Sequence, residues 1–541
     1  MRIPLARRSF ILTAAALLVI VVPSEGQEWP STRPERSDFR ETSRYDDVID
    51  FLGALDGRHP LLRFTGFGYS EEGRPLPLAV FGDVADASAE AVRASSGTRV
   101  LVFANIHAGE VAGKEAAQAL TREFAQGLRD RWADSLVILV VPIYNADGNE
   151  RIGLRNRPRQ HGPVAGMGER ANARDLDLNR DNAKLESAEA RALSRLVQEY
   201  DPHVALDLHT TNGTFHGYHL TYAPPLHPST DAGITALLRD EWLPAVSESV
   251  RDRYGWEFFY YGNVPGTFGM RGERGWYTFD HRPRFTTNYL GLRNRFGILS
   301  EAYSYATFED RILAHGRFVE AVIDFAFANA TRVRSVVEAA DREPAPGMEV
   351  ALRAGMFAGD TIDVWMGAVD EERNPYTGAL MYRRRDERTV ERMPDYGTFR
   401  ATEVAVAPAA YLVPAEYSAV IERLEAHGVE IVRLDAEAEI AAAEFHIDST
   451  RAAEREYQGH QPREAWGVWN EIRRAYPAGT VVVPVHQPLG RLIVVLLEPR
   501  SDDGLLTWNL FDSALEETDV YPLHRVPELP TQACEECVRF R

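Results

Sequence analysis

From about residue 98, short uninterrupted apolar runs alternate with longer stretches whose apolar positions recur at helical spacing. The runs Arg99–Ile106, Leu136–Ile143, His203–Leu208 and Phe296–Ser300 predict strands. They are continuous rather than alternating, which predicts strands covered on both faces, as in a mixed, mostly parallel sheet flanked by helices. Helical spacing predicts helices over Val111–Leu128, Ser187–Tyr200 and Phe308–Ala339, and a short one over Arg44–Leu55 in the polar entry segment. This alternation is the signature of an α/β domain, here residues 27–343. At Glu343-Pro344-Ala345-Pro346-Gly347 the helical pattern stops, marking a boundary. Beyond it, Thr480–Val485 and Leu492–Leu497 read as strands and Ala415–His427 as a helix, so 347–541 is predicted to be an accessory α+β domain.

The first residues read as an address. Arg2, Arg7 and Arg8 precede an apolar run, Phe10 to Val22, of signal-peptide length and short for a bilayer span. Ser24 and Gly26 supply a cleavage site before Gln27, so residues 1–26 are expected to be removed, the alternative being an uncleaved N-terminal anchor. Arg7-Arg8 also suits a twin-arginine signal. A secreted or periplasmic protein with no stable membrane span follows. In an oxidising compartment Cys534 and Cys537, the only cysteines, are expected to close a local disulfide.

Composition narrows the function. The 541 residues carry 80 Asp+Glu against 60 Lys+Arg, a formal charge of −20. Nucleic acid needs a positive field, so it is not an expected partner. Hydrophobic residues at 45% exclude wholesale disorder.

Three predicted strands each run into a chemically capable side chain: His107, His209 and Glu301. Ligands of open α/β sheets bind outside the carboxyl ends of the strands, so the three are expected at one edge of one sheet. His107-Ala-Gly-Glu110 lies where a strand turns into a helix, and a spacing of three there lets imidazole and carboxylate converge. His209 is the expected third ligand. His161, His216, His219 and His281 compete with it, but His209 alone ends a buried strand. Two imidazoles, one carboxylate and an open position make the composition of a catalytic zinc site. Separately, Asp175-Leu-Asp-Leu-Asn-Arg180 places an amide beside a guanidinium, and arginine grips carboxylates bidentately.

The order H-x-x-E, an Arg-bearing loop after N-x-D-G, D-x-N-R, a strand-end His and a strand-end Glu resembles the zinc metallocarboxypeptidases (funnelins, carboxypeptidase A type) over roughly residues 40–330, in a bacterial secreted branch with a C-terminal extension. The resemblance implies one Zn2+ per chain held by His107, Glu110 and His209, with Asp177 orienting the first histidine. It implies that Asn179 and Arg180 grip the terminal carboxylate of a peptide substrate with a free C-terminus. Arg155 would polarise the scissile carbonyl, with Arg157 the fallback because the loop is longer than usual, and Glu301 would be the general base. For the tyrosine that closes over substrate, Tyr289 and Tyr277 are the candidates. The rival readings are a zinc amidase or deacylase of small N-acyl amino acids, a cell-wall peptide hydrolase, and a binding protein that keeps the fold without catalysis. For the C-terminal domain a folding or substrate-access role is expected.

Overall fold

The computed structural model describes residues 28–211, 213–266, 271–530 and 534–540; the expected signal segment, 1–26, lies outside them. No described helix is long and apolar enough to cross a membrane.

The N-terminal half contains strands β1 (Leu62–Tyr69), β2 (Pro75–Phe81), β3 (Thr98–Ala104), β4 (Leu136–Val141), β5 (Val204–Thr211), β6 (Leu220–Ala223), β7 (Phe258–Tyr260), β8 (Trp276–Tyr277) and β9 (Phe296–Tyr303). All but β8 join one eight-stranded sheet in the order β1-β2-β4-β3-β5-β9-β6-β7. Its centre, β4-β3-β5-β9, is parallel, and β2 and β6 add antiparallel neighbours on either side. The four runs anticipated in sequence are these central strands. They are apolar throughout because the helices Val111–Ala125, Ala188–Tyr200, Thr286–Leu292 and Phe308–Ala328 supply cover. The helix expected over Phe308–Ala339 is two, Phe308–Ala328 and Ala330–Arg342, broken at Asn329, whose φ/ψ of −120°/20° is not helical.

After Arg342 come β10 (Glu349–Met356), β11 (Thr361–Arg373), β12 (Leu380–Tyr396), β13 (Phe399–Val406), β14 (Ala410–Val413), β15 (Val432–Arg433), β16 (Ala438–Ala452), β17 (Arg463–Tyr476), β18 (Val481–Pro484) and β19 (His524–Val526). Six of them form a sheet, β15-β18-β14-β19-β16-β17. Leu492–Leu497, expected as a strand, lies in the helix Gly490–Leu497, every residue of which is buried. An apolar run this short carries no periodicity with which to tell a core strand from a core helix.

The two halves share packing. Ala183, Tyr289 and Leu292 lie in the same apolar cluster as Tyr411, Val483 and Leu496. The long antiparallel pair β11–β12 continues into the N-terminal half through β8, which runs parallel to β12. Cys534 and Cys537 are disulfide-bonded.

Candidate active site

Strand β3 ends at Ala104, and Asn105 then turns the chain with a left-handed φ of 71°. His107 sits in that turn, and Glu110 occupies the position before the helix Val111–Ala125. Gly109 is required between them: a Cβ there would lie 2.7 Å from the Gly168 carbonyl oxygen and 3.0 Å from Arg157 Nε. The missing side chain lets the loop 153–168 press on the H-x-x-E turn and deliver Arg157. On β5, parallel to β3, His209 emerges, and on β9 the register pairs His209 with Glu301. Parallel pairing therefore places the base candidate beside a metal-ligand candidate without any loop in between.

The ligand atoms converge. His107 Nδ1 lies 3.0 Å from Glu110 Oε1, His209 Nδ1 lies 2.9 Å from Glu110 Oε2, and the two Nδ1 atoms are 3.2 Å apart. Ligands arranged tetrahedrally about zinc, at about 2.0–2.1 Å from it, stand about 3.3–3.4 Å from one another, close to this spacing. Both rings are turned by carboxylates. His107 Nε2–H donates to Asp177 Oδ1 at 3.0 Å, and His209 Nε2 faces Asp207 Oδ2 at 2.9 Å. His209 Nε2 also lies 3.4 Å from Asn179 Nδ2, and both Nδ1 atoms face the Glu110 carboxylate. Three electron-rich atoms this close, all buried, fit a cation at their centre. Asp207 was not singled out in sequence; its signal was the D-x-H spacing on β5, which puts positions 207 and 209 on one face.

A cavity of about 230 Å3 opens over the triad. Arg157, Arg170, Asn179, Arg180 and Glu301 line it, with Tyr261, Phe279, Phe285 and Leu299 as its less polar wall. Asn179 Oδ1 accepts from both the amide and the hydroxyl of Thr286, at 2.9 and 3.0 Å, which turns the Asn179 NH2 group away from them. Arg180 lies over the Phe285 ring, 3.9 Å from its centroid, and donates to its neighbour's carbonyl at 2.7 Å. Glu301 Oε2 is buried without a hydrogen-bond partner among the described residues. Burial pushes the Glu301 carboxyl up to about 8; His209 pulls it down, and the Glu110 and Asp207 carboxylates push it up. An ion at the triad would add positive charge and draw it back toward the carboxylate form. Asp177 is held far below the usual carboxylate range: His107 and Arg170 overcome the cost of its burial.

Three expected residues are elsewhere. Arg155 is exposed and outside the cavity. Asn156 N–H donates to the Gly153 carbonyl at 3.3 Å, so Leu154 and Arg155 are the central, outward-facing pair of a tight turn. Arg157, past that turn, comes back to donate to Glu110 Oε1 at 2.6 Å. Tyr289 is buried in the contact between the halves, its hydroxyl 2.9 Å from His427 Nδ1 and accepting from Arg293 at 3.0 Å. Tyr277 stacks on Tyr396 with ring centroids 4.1 Å apart and is not part of the cavity. The tyrosine that lines the cavity is Tyr261, accepting from Asn263 Nδ2 at 3.1 Å; burial pushes its hydroxyl up to about 12, so it stays a neutral donor. Nothing in its local sequence set it apart from the other aromatic residues of 255–295.

Residues 48–200 match the zinc carboxypeptidase family. The chain is 24% identical over 480 residues to carboxypeptidase 2 of Trichophyton tonsurans, spanning 84% of this chain and 81% of that one. It is 24% identical over 509 residues to carboxypeptidase 2 of Trichophyton rubrum, spanning 90% and 86%. Among solved structures, a metallo-carboxypeptidase from Burkholderia cenocepacia is 16% identical, covering 54% of this chain and 71% of that one, with a TM-score of 0.40. H-x-x-E and D-x-N-R, which with the later His gather around one cavity, both lie within the stretch that matches the zinc carboxypeptidase family.

Proposed function

We propose that the protein hydrolyses the last peptide bond of a substrate with a free C-terminal carboxylate. One observation carries the reading: a metal triad, an amide–guanidinium pair and a buried carboxyl share a single small cavity. His107, Glu110 and His209 would hold zinc, which supplies a Lewis acid and lowers the pKa of water to about 7.

The remaining work belongs to side chains. Arg180 and the NH2 group of Asn179 receive the terminal carboxylate, fixing which bond is presented. Glu301 takes the proton of the attacking water and delivers it to the departing amine as the C–N bond breaks. Arg157 donates to the oxyanion that develops on the scissile carbonyl; unlike Arg170, it is not committed to Asp177. Tyr261, Phe279, Phe285 and Leu299 pack the side chain being released. The peptide approaches through a cavity of about 860 Å3 lined by Asp280, Arg282, Arg284, Arg353, Arg451 and Tyr457. The loop that gives Phe279 and Phe285 to the centre thus gives its intervening residues to that cavity. Export from the cytoplasm, one ion per chain and a bacterial secreted branch remain part of this reading.

The test is a peptide library digested by zinc-loaded enzyme, with released residues identified. Single C-terminal residues are expected from free acids and not from the corresponding amides. Arg180→Ala should lower kcat/KM for the free acid about 10²-fold or more while leaving the amide unaffected, given what removing a charge-assisted anchor costs. Release of acyl groups from N-acyl amino acids, with peptides intact, would replace this reading by the amidase one.

A further inference from the structure

The hairpin β16–β17 belongs to the C-terminal half, yet its far end reaches the N-terminal half's catalytic centre. Beyond β16 and β17 the pairing continues: Ala453 N–H donates to the Pro462 carbonyl at 2.7 Å, and Tyr457 N–H to the His460 carbonyl at 2.7 Å. The tip is the pair Gln458-Gly459, both left-handed, with φ of 54° and 77°. A two-residue turn with both residues left-handed favours Asn-Gly or Gly-Gly; glutamine there is out of place by local preference. What its side chain does supplies a reason. Gln458 Oε1 accepts the backbone N–H of Asp177 at 2.8 Å.

Asp177 is where several lines of force in the site meet. Its Oδ1 accepts from His107 Nε2–H and from the Asn179 amide, each at 3.0 Å, and its Oδ2 from Arg170 Nε at 2.9 Å. It also begins the turn that carries Asn179 and Arg180. The tip itself is held on both flanks. His460 Nε2 is 2.8 Å from Glu186 Oε1, and the Arg284 guanidinium lies over both the Tyr457 and the Trp508 rings, 5.4 and 4.6 Å from their centroids. A left-handed residue fixed from both sides, with its amide on the residue that orients a metal ligand, is a place where strain has been retained for a purpose.

We propose that Gln458 is a positioning residue of the metal centre: the C-terminal half holds Asp177, and through it His107 and the Asn179–Arg180 pair, in the arrangement that binds zinc. The inference rests on the zinc-site reading but not on the identity of the substrate.

The test uses the full chain and zinc alone, competed with a chromogenic chelator. Gln458→Gly removes the acceptor while suiting the turn's left-handed φ, so folding is preserved. Its zinc dissociation constant should rise about three- to tenfold, less than the 10–100-fold typical when a ligand's direct partner is lost. The melting temperature of the metal-free protein should stay within about 2 °C. Gln458→Glu, which keeps an acceptor, should restore affinity to within about twofold. Arg191→Ala, which breaks the exposed contact to Glu422 elsewhere between the halves (2.6 Å), should leave zinc affinity unchanged. Unaltered zinc affinity in Gln458→Gly, or equal weakening in Arg191→Ala, would overturn the proposal. A wild type that binds zinc but releases no residues would end the peptidase reading and leave this one standing.

Discussion

In the N-terminal half, β3, β4 and β5 are buried at every residue, whereas β12, with seventeen residues, has one buried position, and β17, with fourteen, has two. The first group gains its stability from two covered faces, the second from backbone pairing and from what its ends dock against. The functional consequence follows the same division. Buried parallel strands bring His107, His209 and Glu301 to one rim because their ends are fixed by the core. The ribbons instead reach over that rim from outside: Gly217 N–H donates to the Trp365 carbonyl and Arg384 N–H to the Tyr305 carbonyl, each at 2.7 Å, while Gln458 holds Asp177. One half carries the candidate site, and the other docks against its surroundings.

The sharpest way to break this comparison is to separate the halves. A chain ending at residue 345 uncovers Leu292 and Tyr289 and leaves β8 without β12. Re-exposing one such leucine costs about 1.5–3 kcal/mol, a large share of a domain stability of about 5–15 kcal/mol. The fragment is expected to be insoluble or to melt without a cooperative transition, read by yield and circular dichroism. A soluble fragment with full activity would show that the enclosure is dispensable.

Within the N-terminal half, Glu301→Gln should lower kcat by about 10²–10⁴-fold, the usual worth of a positioned acid–base group, with zinc content unchanged. Arg157→Ala should cost about 10²–10³-fold, as for other oxyanion donors. Arg155→Ala, two positions away but exposed, should stay within about twofold by the usual neutrality of surface changes. Equal losses in the two arginine variants would undo the placement of the turn between them.

That pair also shows where sequence reasoning reached its limit. His107, Glu110, His209 and Glu301 were legible because each sits toward or just past the carboxyl end of a strand whose apolar run is unmistakable, and those ends share an edge. Arg155 and Arg157 lie in a long loop, where a single turn decides which side chain faces inward. Tyr289 looked like a substrate residue because its partners, His427 and the C-terminal core, are distant in sequence. The ribbons escaped notice because strands exposed on both faces have no apolar period to display. Gln458 had no local signal at all, since its meaning lies in Asp177, 281 positions earlier.

The finest distinction between the halves is whether they unfold together, and acid can reveal it. His203 supports β3 through the Arg99 amide at 3.0 Å, and His427 joins Tyr289 across the contact between halves. Burial, reinforced by Arg99 in one case and Arg293 in the other, lowers each to about 3 from an ordinary value near 6.5. Between those values the unfolded chain binds a proton that the folded chain refuses. Each histidine's contribution is therefore complete above about pH 6.5 and declines as the pH falls, by at most about 1.4 kcal/mol per pH unit. His203→Gln and His427→Gln each remove one such proton. If the shared cluster around Tyr289 makes the molecule one cooperative unit, either substitution should flatten the same acid-unfolding transition, monitored between pH 7 and pH 4, by the same amount. Two transitions, each sensitive to only one substitution, would mean that the enclosing half detaches before the catalytic half melts.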